Sequence, residues 1–346
     1  MPTEIKGEFM WPMFFASLAI IMCGIYLWDV MRSFRHRTGR NTSAYSSPSP
    51  LSVDLTGIEG FANPGDTTNT TDGSGSGSSL KILMDKDCYD DFYAAIYDTL
   101  IQPSARAGLE TQVPLEWLVK ERKRTKSDLR VADIGCGTGL HVELFRRQGV
   151  HSVVGVDRST AMIATARKRY PESIFLEGDA TVTTMGADSG HFAADAFDLV
   201  TLYYFTIYLI PDRTTLLRNM YMWLAPGGLF VAHVVNKLKF DPVLEAASPF
   251  VGFSVQKYAD ERITTSSVTF KEFEYTGDFQ LHGSRGVFEE EFRFPGGQTR
   301  KHEQRVWMPT IESLVEEVAA AGFKYAHHVD LTPIGYEYQY LFFFEK

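Results

Sequence analysis

With 346 residues, 44% of them hydrophobic, the chain is long enough for a full core plus appendages. Its formal net charge of −9 argues against a phosphate-binding surface, so no nucleic-acid partner is expected. Its 3 cysteines make no disulfide framework, and no CxxC pair or His cluster has zinc spacing, so no metal is expected either.

Residues 1–8 form a short polar tail. Phe9 to Trp28 carries no charge and is long enough to cross a hydrocarbon core as one helix, with Trp11, Tyr26 and Trp28 near its ends. Glu4 and Glu8 before the apolar run, and no A-x-A after it, speak against a signal peptide. Arg32, Arg35, Arg37 and Arg40 follow, and the positive-inside tendency puts them on the cytosolic side. The expectation is a single-pass membrane protein whose large C-terminal part is cytosolic. Residues 29–79 join this basic juxtamembrane stretch to a Ser/Thr/Gly/Asn/Pro-rich tether, too polar to fold alone. The sequons at Asn41 and Asn69 are read as coincidences of that composition.

Residues 80–127 read as N-terminal helices. Tyr89, Tyr93 and Tyr97 repeat every four residues and so share a helix face over Tyr89–Ile101. Lys120–Lys126 is a basic helix end before the first core strand.

From 128 to 346 strand and helix patterns alternate. Arg130–Ile134 is a short apolar strand, followed by Gly135, Cys136, Gly137, Thr138 and Gly139, then a helix from Leu140. Glycines at alternate positions let the backbone turn sharply and approach a ligand. The dinucleotide spacing G-x-G-x-x-G fails, because its third glycine would fall at Leu140. Asp133, two residues before the first glycine, suits a cationic ligand better than a phosphate. Ser152–Asp157 is a second strand ending in an acid, with Arg158 after it. Ser159 reads as the N-cap of a helix to Tyr170. Ser173–Ala180 gives a third strand with Asp179, Phe197–Leu202 a fourth, and Leu224–Phe230 the turn into a fifth.

This order over Asp128–Asn236 resembles the class I S-adenosylmethionine (SAM)-dependent methyltransferases of small-molecule type. The resemblance implies a Rossmann-like α/β fold with a seven-stranded sheet, and SAM as cofactor. It implies that Asp133 with Gly135, Gly137 and Gly139 holds the methionine end, Asp157 the ribose and Asp179 the adenine. Cys136, Thr138, Arg158, Ala180 and Leu202 are expected among the cofactor-binding residues.

The substrate side follows from the variable parts. A tyrosine helix before the core acts as a lid in similar sugar and glycine/sarcosine N-methyltransferases, so Tyr97 is either lid or packing; Tyr89 is read as packing. Tyr203, Tyr204 and Tyr208 either position an amine or hydroxyl acceptor or fill space. His233 is either a polar group at the acceptor or a satisfied core histidine. Residues 240–307 alternate apolar and polar over 267–275, 286–294 and 301–307, as antiparallel strands do. In related enzymes such an insert roofs the pocket and can mediate homodimerisation. A helix over Thr310–Ala321 and a terminal hairpin close the chain.

The expected function is methyl transfer to a small-molecule or lipid-borne acceptor by a membrane-tethered enzyme. The alternatives are a non-catalytic SAM sensor or scaffold, and a protein methyltransferase.

Overall fold

The computed structural model describes residues 80–182, 191–247, 254, 256 and 259–346. The expected anchor over 9–28 and tether over 29–79 lie outside them. Among the described residues no helix is long and apolar enough to cross a membrane.

The described chain begins with strand β1 (Leu80–Met84) and helices α1 (Asp91–Ile101) and α2 (Ser104–Arg122). Alternating units follow: β2 (Arg130–Ile134), α3 (Leu140–Arg147), β3 (Ser152–Asp157), α4 (Thr160–Arg169), β4 (Ile174–Glu177), β5 (Phe197–Leu202), α5 (Thr214–Trp223) and β6 (Leu224–Val235). Then come β7 (Thr265–Thr269), β8 (Glu274–His282), β9 (Arg285–Arg293) and β10 (Thr299–Trp307). Helix α6 (Ile311–Ala320), β11 (Lys324–Asp330) and β12 (Gln339–Glu345) end the chain.

A seven-stranded sheet runs β11-β12-β6-β5-β2-β3-β4. Strands β2 to β6 are mutually parallel, and β12 pairs antiparallel with β6. All six residues of β5 are buried, as expected of a continuous apolar strand covered on both faces. Strand addition runs outward from β2 through β3 to β4, then restarts on the other side with β5. The crevice at that reversal, between the carboxyl ends of β2 and β5, is where open α/β sheets bind ligands.

Local chemistry sets the helix starts. Ser159 caps α4 by accepting from the Met162 N–H at 3.1 Å, and Thr310 caps α6 by accepting from Ser313. Asp90 caps α1 by accepting from the Tyr93 N–H at 3.3 Å, so Tyr89 stands before the helix rather than in it.

The second sheet runs β1-β10-β9-β8-β7, and it departs from the sequence reading twice. Residues 80–84 are not helical: β1 lies parallel to β10, with Leu80 opposite Thr299. The single strand expected over 267–275 is two strands joined by a turn, in which the Phe270 N–H donates to the Phe273 carbonyl at 2.9 Å. Phe270 and Phe273 are both buried, in an aromatic cluster with Phe92 of α1 and Phe292 of β9. The alternation therefore continues through the turn unbroken. That cluster fixes α1 against the insert.

Candidate active site

Gly135 and Cys136 leave β2 by donating their N–H groups to the Val156 carbonyl at 2.7 and 2.9 Å. Gly135 has φ +71°, and a Cβ there would stand 2.5 Å from Thr206 Cγ2. Gly137 has φ +53°, and a Cβ there would meet Tyr97 Cε1 at 3.7 Å, an ordinary contact. Gly139 has a different task. A Cβ there would stand 2.6 Å from the Phe175 ring and 3.0 Å from Ala166, so this glycine lets α3 pack against β4 and α4.

Asp157, at the end of β3, accepts from the Gly137 N–H and the Ser159 N–H, both at 2.9 Å. Burial pushes its carboxyl up, against those two hydrogen bonds. Asp179 accepts from the Thr181 N–H at 2.9 Å and its hydroxyl at 2.6 Å. Both acids line one cavity of about 530 Å³, together with Gly135, Gly137, Arg158 and Ala180. Tyr89, Tyr93 and Tyr97 close it from the α1 side, and Phe279, Phe288 and Gln304 from the insert. Tyr89, expected to be packing, is a wall residue whose hydroxyl donates to Gln304 Oε1 at 2.7 Å.

Several expected site residues stand elsewhere. Asp133 is 1% exposed and turned toward β5, where it accepts from the Thr201 hydroxyl at 2.7 Å; burial lifts its carboxyl to about 6. The Cys136 thiol is buried and raised by that burial. The Thr138 hydroxyl donates to Asp98 at 2.7 Å, and Leu202 is fully buried in the sheet core.

Tyr203 points back beneath the sheet edge, its hydroxyl donating to the Glu110 carbonyl at 2.6 Å and its ring stacked on His141. Tyr208 is equally occupied, accepting from the Val235 N–H at 2.9 Å. His233 is fully buried with Nε2 2.9 Å from Gln339 Oε1, and burial lowers its pKa to about 4. A neutral core histidine, it stands behind the cavity wall. Of the four polar groups expected after the fourth strand, only Tyr204 reaches the cavity.

Tyr204 and Phe205 are held at φ +39° and +53°, a conformation bulky residues seldom adopt. This turn drives Thr206 against Gly135 and lays the Tyr204 ring beneath the Arg106 guanidinium, 4.1 Å from its centroid. Arg106, 1% exposed, also stands 3.3 Å from Glu110 and donates to Glu245 Oε1 at 2.6 Å. Glu245 lines the cavity. A second buried group supports the tyrosine wall: Glu290 accepts from the hydroxyls of Tyr93 and Tyr275 and from Gln304 Nε2, at 3.0 to 3.1 Å. Sequence reasoning missed Arg106, Glu245, Glu290 and Gln304. Their only signal was charge or amide at positions whose helix or strand face is otherwise apolar, and that becomes visible once the elements are packed.

Residues 132–232 match the family model of a methyltransferase domain. A dTDP-4-amino-2,3,4,6-tetradeoxy-D-glucose N,N-dimethyltransferase of Saccharopolyspora spinosa is 32% identical over 146 residues, 41% of this chain and 54% of that protein. A trans-aconitate 2-methyltransferase of Variovorax paradoxus is 36% identical over 101 residues, 29% of this chain and 36% of that protein. The chain thus spans about half, or less, of the curated relatives it matches. Among solved structures, a SAM-dependent methyltransferase from Clostridium acetobutylicum superposes with TM-score 0.52 at 16% identity, covering 75% of this chain and 98% of that one. The CcbJ methyltransferase from Streptomyces caelestis gives TM-score 0.52 at 15% identity, covering 74% and 96%. The described core has the fold of these SAM-dependent methyltransferases, and SAM is the cofactor it points to.

Proposed function

We propose that the chain transfers a methyl group from SAM to a small-molecule acceptor enclosed between the sheet edge, α1 and the insert. The observation that carries this reading is the meeting of the Gly135–Gly137 turn, Asp157 and Asp179 in one cavity closed by tyrosines. The residues fit the cofactor. Gly137 lines the cavity with the Tyr97 ring at ordinary contact distance from the point a Cβ would take, and Asp157 is fixed by two backbone N–H groups at a strand end. Asp157 would accept the ribose hydroxyls and Asp179 the adenine amino group. The turn would receive the methionine end, with Asp133 behind it as a buried counter-charge.

The sulfonium methyl is already electrophilic, so the chain need supply neither a covalent nucleophile nor a metal. Its work is to hold acceptor and methyl in line and to exclude water, which the lid tyrosines and insert strands are arranged to do. The similarity to enzymes acting on an amino sugar and on trans-aconitate supports a small-molecule acceptor. The reading includes a membrane tether through residues 9–28, supported by sequence alone. Resistance of the full chain to carbonate extraction, lost on deleting 9–28, would test it.

The central test is calorimetric. Asp157→Ala is expected to weaken SAM binding more than tenfold, about 1.4 kcal/mol or more, with the fold intact by circular dichroism. Unchanged affinity would reject the ribose assignment. Transfer of labelled methyl to a metabolite extract tests turnover itself.

A further inference from the structure

We propose that Glu245 is the acceptor-binding residue of this cavity, and that it selects a cationic amine and removes its proton for methylation. This rests on the methyltransferase reading above.

Charge on the cavity wall is one-sided. Among the described residues its charged lining is Asp157, Asp179, Asp212, Asp241 and Glu245 against Arg158. Asp157 and Asp179 belong to the nucleoside end. Asp241 is spent internally, accepting from Ser254, Gln256 and the Val243 N–H at 2.7 to 3.0 Å. Asp212 accepts from the Thr214 N–H in an exposed turn. Glu245 is different. Its side chain is 20% exposed, Oε1 receives Arg106 at 2.6 Å, and among the described residues Oε2 has the long 3.5 Å contact with the Tyr204 hydroxyl. Lone pairs on a fixed carboxylate therefore remain for a ligand.

Arg106 does not neutralise this wall, because it is shared with Glu110. His141 lies 2.7 Å from Glu110 Oε2, the oxygen other than the one facing Arg106. One guanidinium shared between the buried Glu110 and the partly exposed Glu245 leaves room for one more positive charge, which an ammonium supplies and a carboxylate acceptor does not. The other groups facing Glu245 are the phenols of Tyr97, Tyr204 and Tyr336. Tyr97 also passes beside Gly137 and feels the charges of both Asp157 and Glu245, so the two ends of the cavity meet at its ring. Burial raises the Glu245 carboxyl against the pull of Arg106.

The step balances. The ammonium N–H proton passes to a Glu245 oxygen, and the freed nitrogen lone pair forms the N–C bond to the methyl of SAM. The C–S bond breaks with its electron pair going to sulfur, giving the methylated amine and S-adenosylhomocysteine.

The test incubates the full chain with methyl-tritiated SAM and a small-molecule extract of the source cells, split by ion exchange into cationic, anionic and neutral fractions. Label is expected in the cationic fraction. Label only in the anionic or neutral fraction, or in none while SAM binds, overturns the amine assignment. A chain that takes up no SAM overturns the methyltransferase reading beneath it. On the cationic fraction, Glu245→Gln is expected to lower kcat about 100-fold with SAM affinity within about twofold. Glu245→Asp should recover part of the rate and keep its acid limb against pH. Rates for Glu245→Gln within about threefold of the parent, or equal rates for the two variants, would overturn the role of Glu245.

Discussion

Replacing Gly135 with Ala probes the contact that joins the two halves of the sheet edge. The substituted residue must hold φ +71°, which costs an L-residue roughly 1–2 kcal/mol. Its Cβ must also fit 2.5 Å from Thr206 Cγ2, 3.0 Å from Oγ1 and 3.3 Å from Cβ. Rotating Thr206 cannot clear the clash, because Cγ2 and Oγ1 both crowd that point and any staggered rotamer leaves one of them there. Overpacking of this kind costs about 1–3 kcal/mol, so Gly135→Ala should destabilise by about 2–5 kcal/mol in total. Thr206→Ala removes Cγ2 and Oγ1 and leaves only the 3.3 Å contact. The double variant should therefore recover the steric part and retain the backbone part, a coupling of about 1–3 kcal/mol. Urea midpoints of the four proteins, at unchanged denaturant slope, measure the cycle. SAM calorimetry on the same set reports whether the turn still accepts the ligand. Additivity of the two substitutions, or a cost below about 1 kcal/mol for Gly135→Ala, would refute this account of the turn.

Asp133→Asn should stabilise the protein at neutral pH. Its carboxyl is raised to about 6 from an ordinary 3.8, so its contribution is complete below pH 3.8 and lost as pH rises through 6, up to about 3 kcal/mol. The amide still accepts from Thr201, and SAM affinity should fall while the urea midpoint at pH 7 rises. A lower midpoint would sink this. His233 runs the other way. Its pKa is lowered from 6.5 to about 4, so its native neutrality costs stability as pH falls from 6.5 to 4, again up to about 3 kcal/mol. His233→Asn should flatten that acid loss without abolishing methyl transfer, and a transfer rate reduced 100-fold would restore His233 as a site residue. Glu290→Ala removes the acceptor of the Tyr93 and Tyr275 hydroxyls and of Gln304 Nε2, whose remaining contact is the long one to Tyr93, and should lower stability by about 1–3 kcal/mol for each hydroxyl left unpaired. A midpoint change under about 1 kcal/mol would show that the group does not hold the tyrosine wall.

The polypeptide's local order determined the core. Short apolar strands ending in Asp157 and in the residues before Asp179, a glycine turn after Ile134, and capped helices all follow from spacing and composition, because each depends on neighbours a few residues away. That these acids meet in one cavity follows as well, since parallel strands bring their carboxyl ends to one edge.

What local order could not decide was direction and partnership. Tyr203, Tyr204 and Tyr208 are the same residue type within six positions, yet one lines the cavity and two are tied to backbone groups behind it. The choice is made by a turn with positive φ at Tyr204 and Phe205, whose strain is stabilised by packing on Gly135 and Arg106. Residues 80–84 became a strand only because β10 offered an edge, and the 267–275 run turned because its phenylalanines had a distant cluster to fill. Arg106 and Glu245 lie 139 positions apart and acquire meaning only from a 2.6 Å contact. Backbone periodicity is a local property, whereas the environment of a charge belongs to whichever distant segments surround it.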